Sequence, residues 1–255
     1  SALELPGRQD DLVRALCGAN PRTAVLVNAG SPVTMDWAGL PAALMQTWFA
    51  GEAGGRAVAD VISGADAPGG RLPHTIPKRI EDTPAYASYP GTAGHLPYEE
   101  GHLVGHRHYA ARNIEPRYWF GHGKGYTTFQ WSDLRLTSLH DGLSAGCTVT
   151  NTGERRGSDV VLAFVRAPWS GTAGRPDRQL AGFAKVVLDP GESGQVAIGI
   201  SSRRVARYAI GAGSGRGRWL TDAGSYEIQL ARDAGSVELS GSVELSGAGG
   251  LSPGE

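Results

Sequence analysis

The hydrophobic pattern changes period once, near Ser132, and that switch limits the chain to two differently built parts. Before it, Thr23–Asn28 (TAVLVN) is a nearly continuous apolar run. Such a run reads as a strand buried on both faces of a helix-covered parallel sheet. After it, apolar residues alternate with polar or small ones, as in Val196, Ile198, Ile200 and in Tyr226, Ile228, Leu230. That period of two belongs to strands with one buried face. The 255 residues suffice for two domains with separate cores.

In the front part, Leu12, Val13, Leu16 and Cys17 fall at helical spacing within residues 7–19, and Asn20-Pro21 ends that helix. Residues 42–49 suit a second buried strand. A helix over 51–64 then turns Ala57, Val58, Val61 and Ile62 inward and stops at Gly64. Strand, helix, strand, helix is the α/β pattern, and its few strands make the sheet partial. In the back part, strands are expected at Leu134–Leu139, Cys147–Asn151, Asp159–Arg166, Gly182–Leu188, Gln195–Ile200, Arg218–Leu220, Tyr226–Leu230 and Val237–Leu245. Turn signals at Asn151-Thr152-Gly153, Asp189-Pro190-Gly191 and Asp222-Ala223-Gly224 separate them. These strands imply an all-β sandwich of fibronectin type III or immunoglobulin shape. The repeat Ser-Val-Glu-Leu-Ser-Gly at 236–241 and 242–247 reads as one strand kinked or bulged at Gly241, or as a marginal hairpin. The expected organisation is 1–84 α/β domain, 85–130 long connecting loop, 131–247 β-sandwich and 248–255 disordered tail.

Composition removes several function classes. Net charge is −1, with no basic footprint for nucleic acid or an anionic membrane. No apolar stretch approaches the ~20 residues of a membrane helix. Hydrophobic residues make up 40%, which argues against disorder. The start, Ser1-Ala2-Leu3-Glu4, lacks Met and a charged n-region, so it reads as the interior of a longer chain and assigns no compartment. Cys17 and Cys147 fall in different parts and read as two buried thiols rather than a disulfide. No G-x-S-x-G elbow, Walker loop or dinucleotide fingerprint is present, and Gly211–Gly217 reads as a flexible loop.

An ordered series of segments carries a resemblance. It runs Leu5-Pro6-Gly7-Arg8-Gln9, Asn28-Ala29-Gly30-Ser31-Pro32-Val33, Trp48-Phe49-Ala50-Gly51-Glu52-Ala53-Gly54-Gly55 and Pro68-Gly69-Gly70-Arg71-Leu72-Pro73. It continues through Tyr89-Pro90-Gly91, Tyr98-Glu99-Glu100-Gly101, Gly105-His106-Arg107, Phe120-Gly121-His122-Gly123 and Tyr126-Thr127-Thr128-Phe129. In the back part Leu180–Lys185 and Leu188–Glu192 extend it. The series resembles the C-terminal part of a family 3 glycoside hydrolase of the β-glucosidase type, ending in a fibronectin type III-like module. Departures stand at Lys124, Gly125, Glu52, Ala53, His106, His108 and Ala110.

The resemblance implies a retaining enzyme acting on β-glucosides or oligosaccharides, without cofactor or metal. β-Xylosidase activity and a non-catalytic carbohydrate-binding or accessory chain are the alternatives. Retention needs two carboxyl groups about 5–5.5 Å apart. The family's nucleophilic Asp lies on a (β/α)₈ barrel, a fold of ~250 residues, and its acid/base Glu lies ahead of the LPGxQ-like helix. Both are expected upstream of Ser1, so no catalytic residue is assigned here. Asp36, Trp37 and Glu52 are the candidate substrate contacts. Asp36 and Trp37 follow a strand end, where α/β sheets bind ligands, although Trp37 also suits a core. Glu52 also suits a helix start. Glu99 and Glu100 are expected to fix a loop, with Arg107 as their ion-pair partner. His102, His106 and His108 have a zinc-like spacing without supporting Cys, and Arg203, Arg204 and Arg207 read as a solvated face. The connecting run is expected to lie over both domains with its aromatics as packing anchors. Half a sheet leaves an open edge, so association into homo-oligomers is expected.

Overall fold

The computed structural model describes residues 3–172, 175–210 and 217–251, with backbone alone for 210 and 248–251. The chain divides into two compact units, Ser1–Pro68 with Leu72–Phe120, and Gly69–Arg71 with Gly121–Glu255. The segment 85–130 is therefore no third body. It splits at Phe120, and its larger part packs with the first unit.

In the first unit, α1 (Gln9–Ala19) leads to β1 (Ala24–Val27), β2 (Ala43–Gln46) and α2 (Gly54–Ser63). β1 and β2 pair in parallel, Ala24 opposite Ala43 through Val27 opposite Gln46. α1 ends before Pro21, where the Asn20 amide donates to the Leu16 carbonyl. α2 ends on left-handed Gly64, φ +76°, as its sequence predicts. Val27, Val33, Met35, Trp37, Ala38 and Ile76 form the core, with Val13, Val25 and Leu44 packed against it.

That core covers one face of β1 only. Val27 is buried while Leu26 is exposed, so the both-faces expectation fails within this unit. The helix stripes fail in the same way. Leu12, Leu16, Ala57 and Ile62 are exposed, Val13, Val58 and Val61 are half-buried, and Cys17 is half-buried rather than buried. A two-stranded sheet offers too little surface to cover an apolar stripe on each helix.

A later hairpin-like bridge closes the unit. The Ile76 amide donates to the Tyr118 carbonyl at 2.8 Å and the Arg117 amide to the Ile76 carbonyl at 2.9 Å. Helix α3 (His106–Arg112) sits between them in sequence, ending on left-handed Asn113. Its Tyr109 is buried and meets Trp119 edge-on, and His106 stacks on Phe120 at 5.2 Å. These rings are packing anchors, but Tyr86, Tyr89 and Tyr98 of the same run are exposed.

The second unit is a β-sandwich. Its strands are β3 (Phe129–Leu139), β4 (Gly142–Asn151), β5 (Gly157–Arg166), β6 (Gln179–Leu188), β7 (Ser193–Ser201), β8 (Arg207–Ile210), β9 (Gly217–Thr221), β10 (Gly224–Asp233), β11 (Ser236–Leu245) and β12 (Ala248–Leu251), with the short helix α4 (Ser202–Val205) before β8. Sheet orders are β11-β10-β5-β6, β3-β4-β7 and β12-β9-β8, all antiparallel. Alternate residues fill the core: Leu143, Ala145, Cys147 and Val149; Val161, Ala163 and Val165; Val196, Ile198 and Ile200; Tyr226, Ile228 and Leu230. The Asn151-Thr152-Gly153 turn is fixed by fully buried Asn151. Its Nδ2 donates to the carbonyls of Arg155 (2.7 Å) and Leu188 (3.0 Å), and its Oδ1 accepts from Thr127 Oγ1 (2.6 Å) and the Gly153 amide (3.1 Å). Every hydrogen-bonding site of that amide group is met.

Three expectations need correction here. Residues 248–251 are strand rather than tail, because the β9 edge supplies backbone partners opposite Thr221 and Trp219. The 236–247 repeat is one strand, and its irregularity lies opposite Leu230–Asp233; Gly241 pairs regularly with Ile228. Arg207 is not merely solvated: its guanidinium grips Asp222 at 2.6 and 2.8 Å. Residues 252–255, and residues 211–216 of the predicted loop, lie outside the described residues.

Candidate functional site

The first unit holds an open cleft of about 280 Å³. Four stretches build it: Leu3 and Glu4, the start of α1 (Asp10, Arg14), the loop after β1 (Thr34, Asp36), and Lys78–Glu81. The Thr34 amide donates to the Leu3 carbonyl at 2.8 Å and ties the first stretch to the third. Arg14 Nη2 lies 2.6 and 2.7 Å from the two Asp36 oxygens. This contact, chiefly the hydrogen bond to Asp36, raises the Arg14 pKa above its ordinary value. Trp37 Nε1 donates to Asp10 Oδ1 at 2.6 Å.

Of the sequence-chosen residues, Asp36 lines the cleft as the acceptor of an ion pair. Trp37 lies beside it but is 1% exposed, so its ring is core and offers no face to a sugar. The structure does not bring Glu52 into the cleft. It stands exposed on the turn before α2, whose N-cap is Ala53 and carries no side-chain cap bond. Arg107 makes no ion pair with Glu99 or Glu100 among the described residues. The chain turns between them at Gly101 (φ +53°) and Gly105 (φ +54°), and one buried Glu100 oxygen, Oε2, has no hydrogen-bond partner.

The histidines serve packing where they are buried. His108 meets Tyr109 edge-on and hydrogen-bonds the Asp82 backbone; burial, then Arg112, lowers its pKa. Burial with the Asp82 charge pushes the Tyr109 phenol up to about 12. Asp82 itself is held by Arg79 at 2.6 Å. Among the described residues no group of three His, Cys, Asp or Glu is arranged for a metal ion.

A general acid at neutral pH needs a carboxyl pKa raised by its surroundings. The carboxyls that depart from the ordinary value here all move down. Asp133 does so through Ser132, and Asp222 through Arg207. In Asp233, burial raises the pKa but hydrogen bonds from His122, Gly235 and Ser236 outweigh it. The carboxylates and cations lining the cleft can hydrogen-bond hydroxyls.

Two further groups stand apart from the cleft. Trp48, just past β2, has φ +53°, and its ring meets His74 edge-on at 4.8 Å. In the second unit Asp159 is 2% exposed and accepts from Arg71 Nη2 and Trp131 Nε1, both at 2.8 Å, and from Arg232 Nη1 at 3.1 Å. The signal in sequence was the GGR of Gly69-Gly70-Arg71, legible as a motif but not as a member of the sandwich.

Comparison with known proteins bears on both units. Residues 1–126 match the glycosyl hydrolase family 3 C-terminal domain, and residues 159–234 match a fibronectin type III-like domain. The chain is 40% identical over 245 residues to a β-glucosidase of Rhizobium radiobacter, covering 93% of this chain and 29% of that protein. Its fold is similar to the family 3 β-glucosidase of Bifidobacterium adolescentis, with a TM-score of 0.88 and 32% identity over 100% of this chain and 37% of that one. A β-glucosidase of Kluyveromyces marxianus, solved in complex with glucose, gives a TM-score of 0.86 at 32% identity, over 96% of this chain and 29% of that one. The chain thus spans less than a third of the length of the curated relative it matches at 40% identity. Both halves of the predicted architecture, each with its own matching domain, place this chain in family 3 of the glycoside hydrolases, in the family's C-terminal region.

Proposed function

We infer that the chain serves a retaining β-glucosidase that removes terminal β-D-glucosyl residues. The observation that carries this is similarity to proteins named β-glucosidase along 92–93% of the chain, through both units rather than one. In that protein the first unit contributes to the wall of the sugar site. The nucleophilic Asp and the acid/base Glu come from outside these 255 residues, on and next to a (β/α)₈ barrel. The engaged state of Asp36 and the downward shifts of Asp133, Asp222 and Asp233 support that division of labour. Asp36 and Glu52 act as rim contacts to hydroxyl groups.

The test is release of nitrophenol from 4-nitrophenyl β-D-glucoside. The 255-residue chain alone is expected to show none above the uncatalysed rate, and the same chain joined to a family 3 barrel is expected to turn over. Clear hydrolysis by the chain alone would sink the reading that its carboxylates are non-catalytic. Preference of the joined protein for the β-xyloside would replace the glucosidase by a xylosidase.

A further inference from the structure

The loops leaving β1 and β2 emerge at the C-terminal ends of parallel strands, the edge where open α/β sheets take ligands. They are stitched together. The Thr47 amide and Oγ1 both donate to the Val27 carbonyl, at 2.9 and 3.1 Å, and Gln46 Nε2 donates to the Ala29 carbonyl at 3.3 Å. Trp48 then takes a left-handed φ of +53°, a costly conformation for a large side chain, and its ring is held against His74. The consequence falls on the next residue. Phe49 is 81% exposed, more than any other large apolar side chain among the described residues. Its ring nevertheless has a fixed backing: it occupies the space where a Cβ on Gly30 would stand. The ring atoms Cε2, Cζ and Cδ2 are the part that approaches Gly30, and most of the side chain is open to solvent. Exposed Ser31 and Glu52 follow Gly30 and Phe49 closely in sequence.

A single exposed apolar residue ordinarily needs no explanation. A ring that leans on a glycine beside a strained residue, at the sheet edge where α/β folds take ligands, is a different matter, because an exposed ring there suits stacking. We propose that Phe49 is a stacking platform for a pyranose ring of the substrate, with Ser31 and Glu52 offering hydrogen bonds to its hydroxyls. The proposal rests on the glycosidase reading.

Cellobiose binding to the 255-residue chain, followed by saturation-transfer NMR titration, tests it. Wild type is expected to bind. Phe49→Ala is expected to weaken binding roughly fivefold, in the range of one aromatic contact. Phe49→Tyr is expected to keep the affinity, and Gly30→Val, which unseats the ring, to match Phe49→Ala. Absence of binding by wild type, or equal affinity in Phe49→Ala, overturns the platform. Nitrophenyl glucoside hydrolysis by the barrel-joined protein is measured alongside. Hydrolysis with Phe49-independent cellobiose binding removes the platform and leaves the glucosidase. Phe49-dependent binding without hydrolysis upholds the platform and removes the glucosidase.

Discussion

Asp159 gathers two guanidinium groups and an indole N–H in the interior of the sandwich, with Arg232 also lying 4.8 Å over the Trp131 ring. Removing the carboxylate leaves those donors without their acceptor. Asp159→Ala is therefore expected to cost about 3 kcal/mol in urea unfolding of the chain. The two cysteines should separate by reactivity. Burial pushes Cys147 up to about 11, whereas Cys17 is half-exposed, so Ellman's reagent at pH 8 should titrate one thiol in the native chain and two after denaturation. His74 and His108 are depressed by burial, so the unfolded chain binds their protons first. Their contribution is complete above the unfolded value near 6.5 and falls as pH drops below it. The urea midpoint of the first unit should fall between pH 7 and 5.5, and His74→Phe should flatten that fall. An unchanged slope in the variant would remove His74 from the account.

At the scale of elements, the strands with a strict period of two were legible. Val196, Ile198 and Ile200 of β7 and Tyr226, Ile228 and Leu230 of β10 face the core as their alternation required. β8 and β12 were not. Arg207–Ile210 is short, and Ala248–Leu251 is Gly-rich, so pairing to β9 through the backbone defines them and no side-chain pattern announces it. Gly121 opens the second unit at φ +88°, and a Cβ there would crowd Leu162 Cδ1 and come within 3.1 Å of the Asp233 Cα. Gly121→Ala joins a strained backbone to an overpacked contact, and about 2 kcal/mol of lost stability is expected by the same urea assay. A loss below about 0.5 kcal/mol, the size of an ordinary surface change, would show that the backbone relaxes there.

For the whole molecule, the first unit leaves Leu12, Leu16, Leu26 and Ile62 exposed and its two-stranded sheet with open edges. The chain on its own is expected to associate, read as a mass above 26.7 kDa in light scattering at micromolar concentration. Leu12→Lys with Leu16→Lys should shift it towards monomer, and a monodisperse monomer in the unaltered chain would count against this apolar face as the cause. By itself the sequence determined the family, the split between an α/β part and a sandwich, and most strands of the sandwich. Periodicity and turn residues act locally, and ordered motifs survive substitution around them. Only the tertiary structure decided that Trp37 is core, that Asp36 is bound to Arg14, that Arg71 belongs with Asp159, and that Phe49 stands open on Gly30. Each of those depends on which distant segments meet, and contact across about 20 to 90 residues leaves no periodic trace in a single chain.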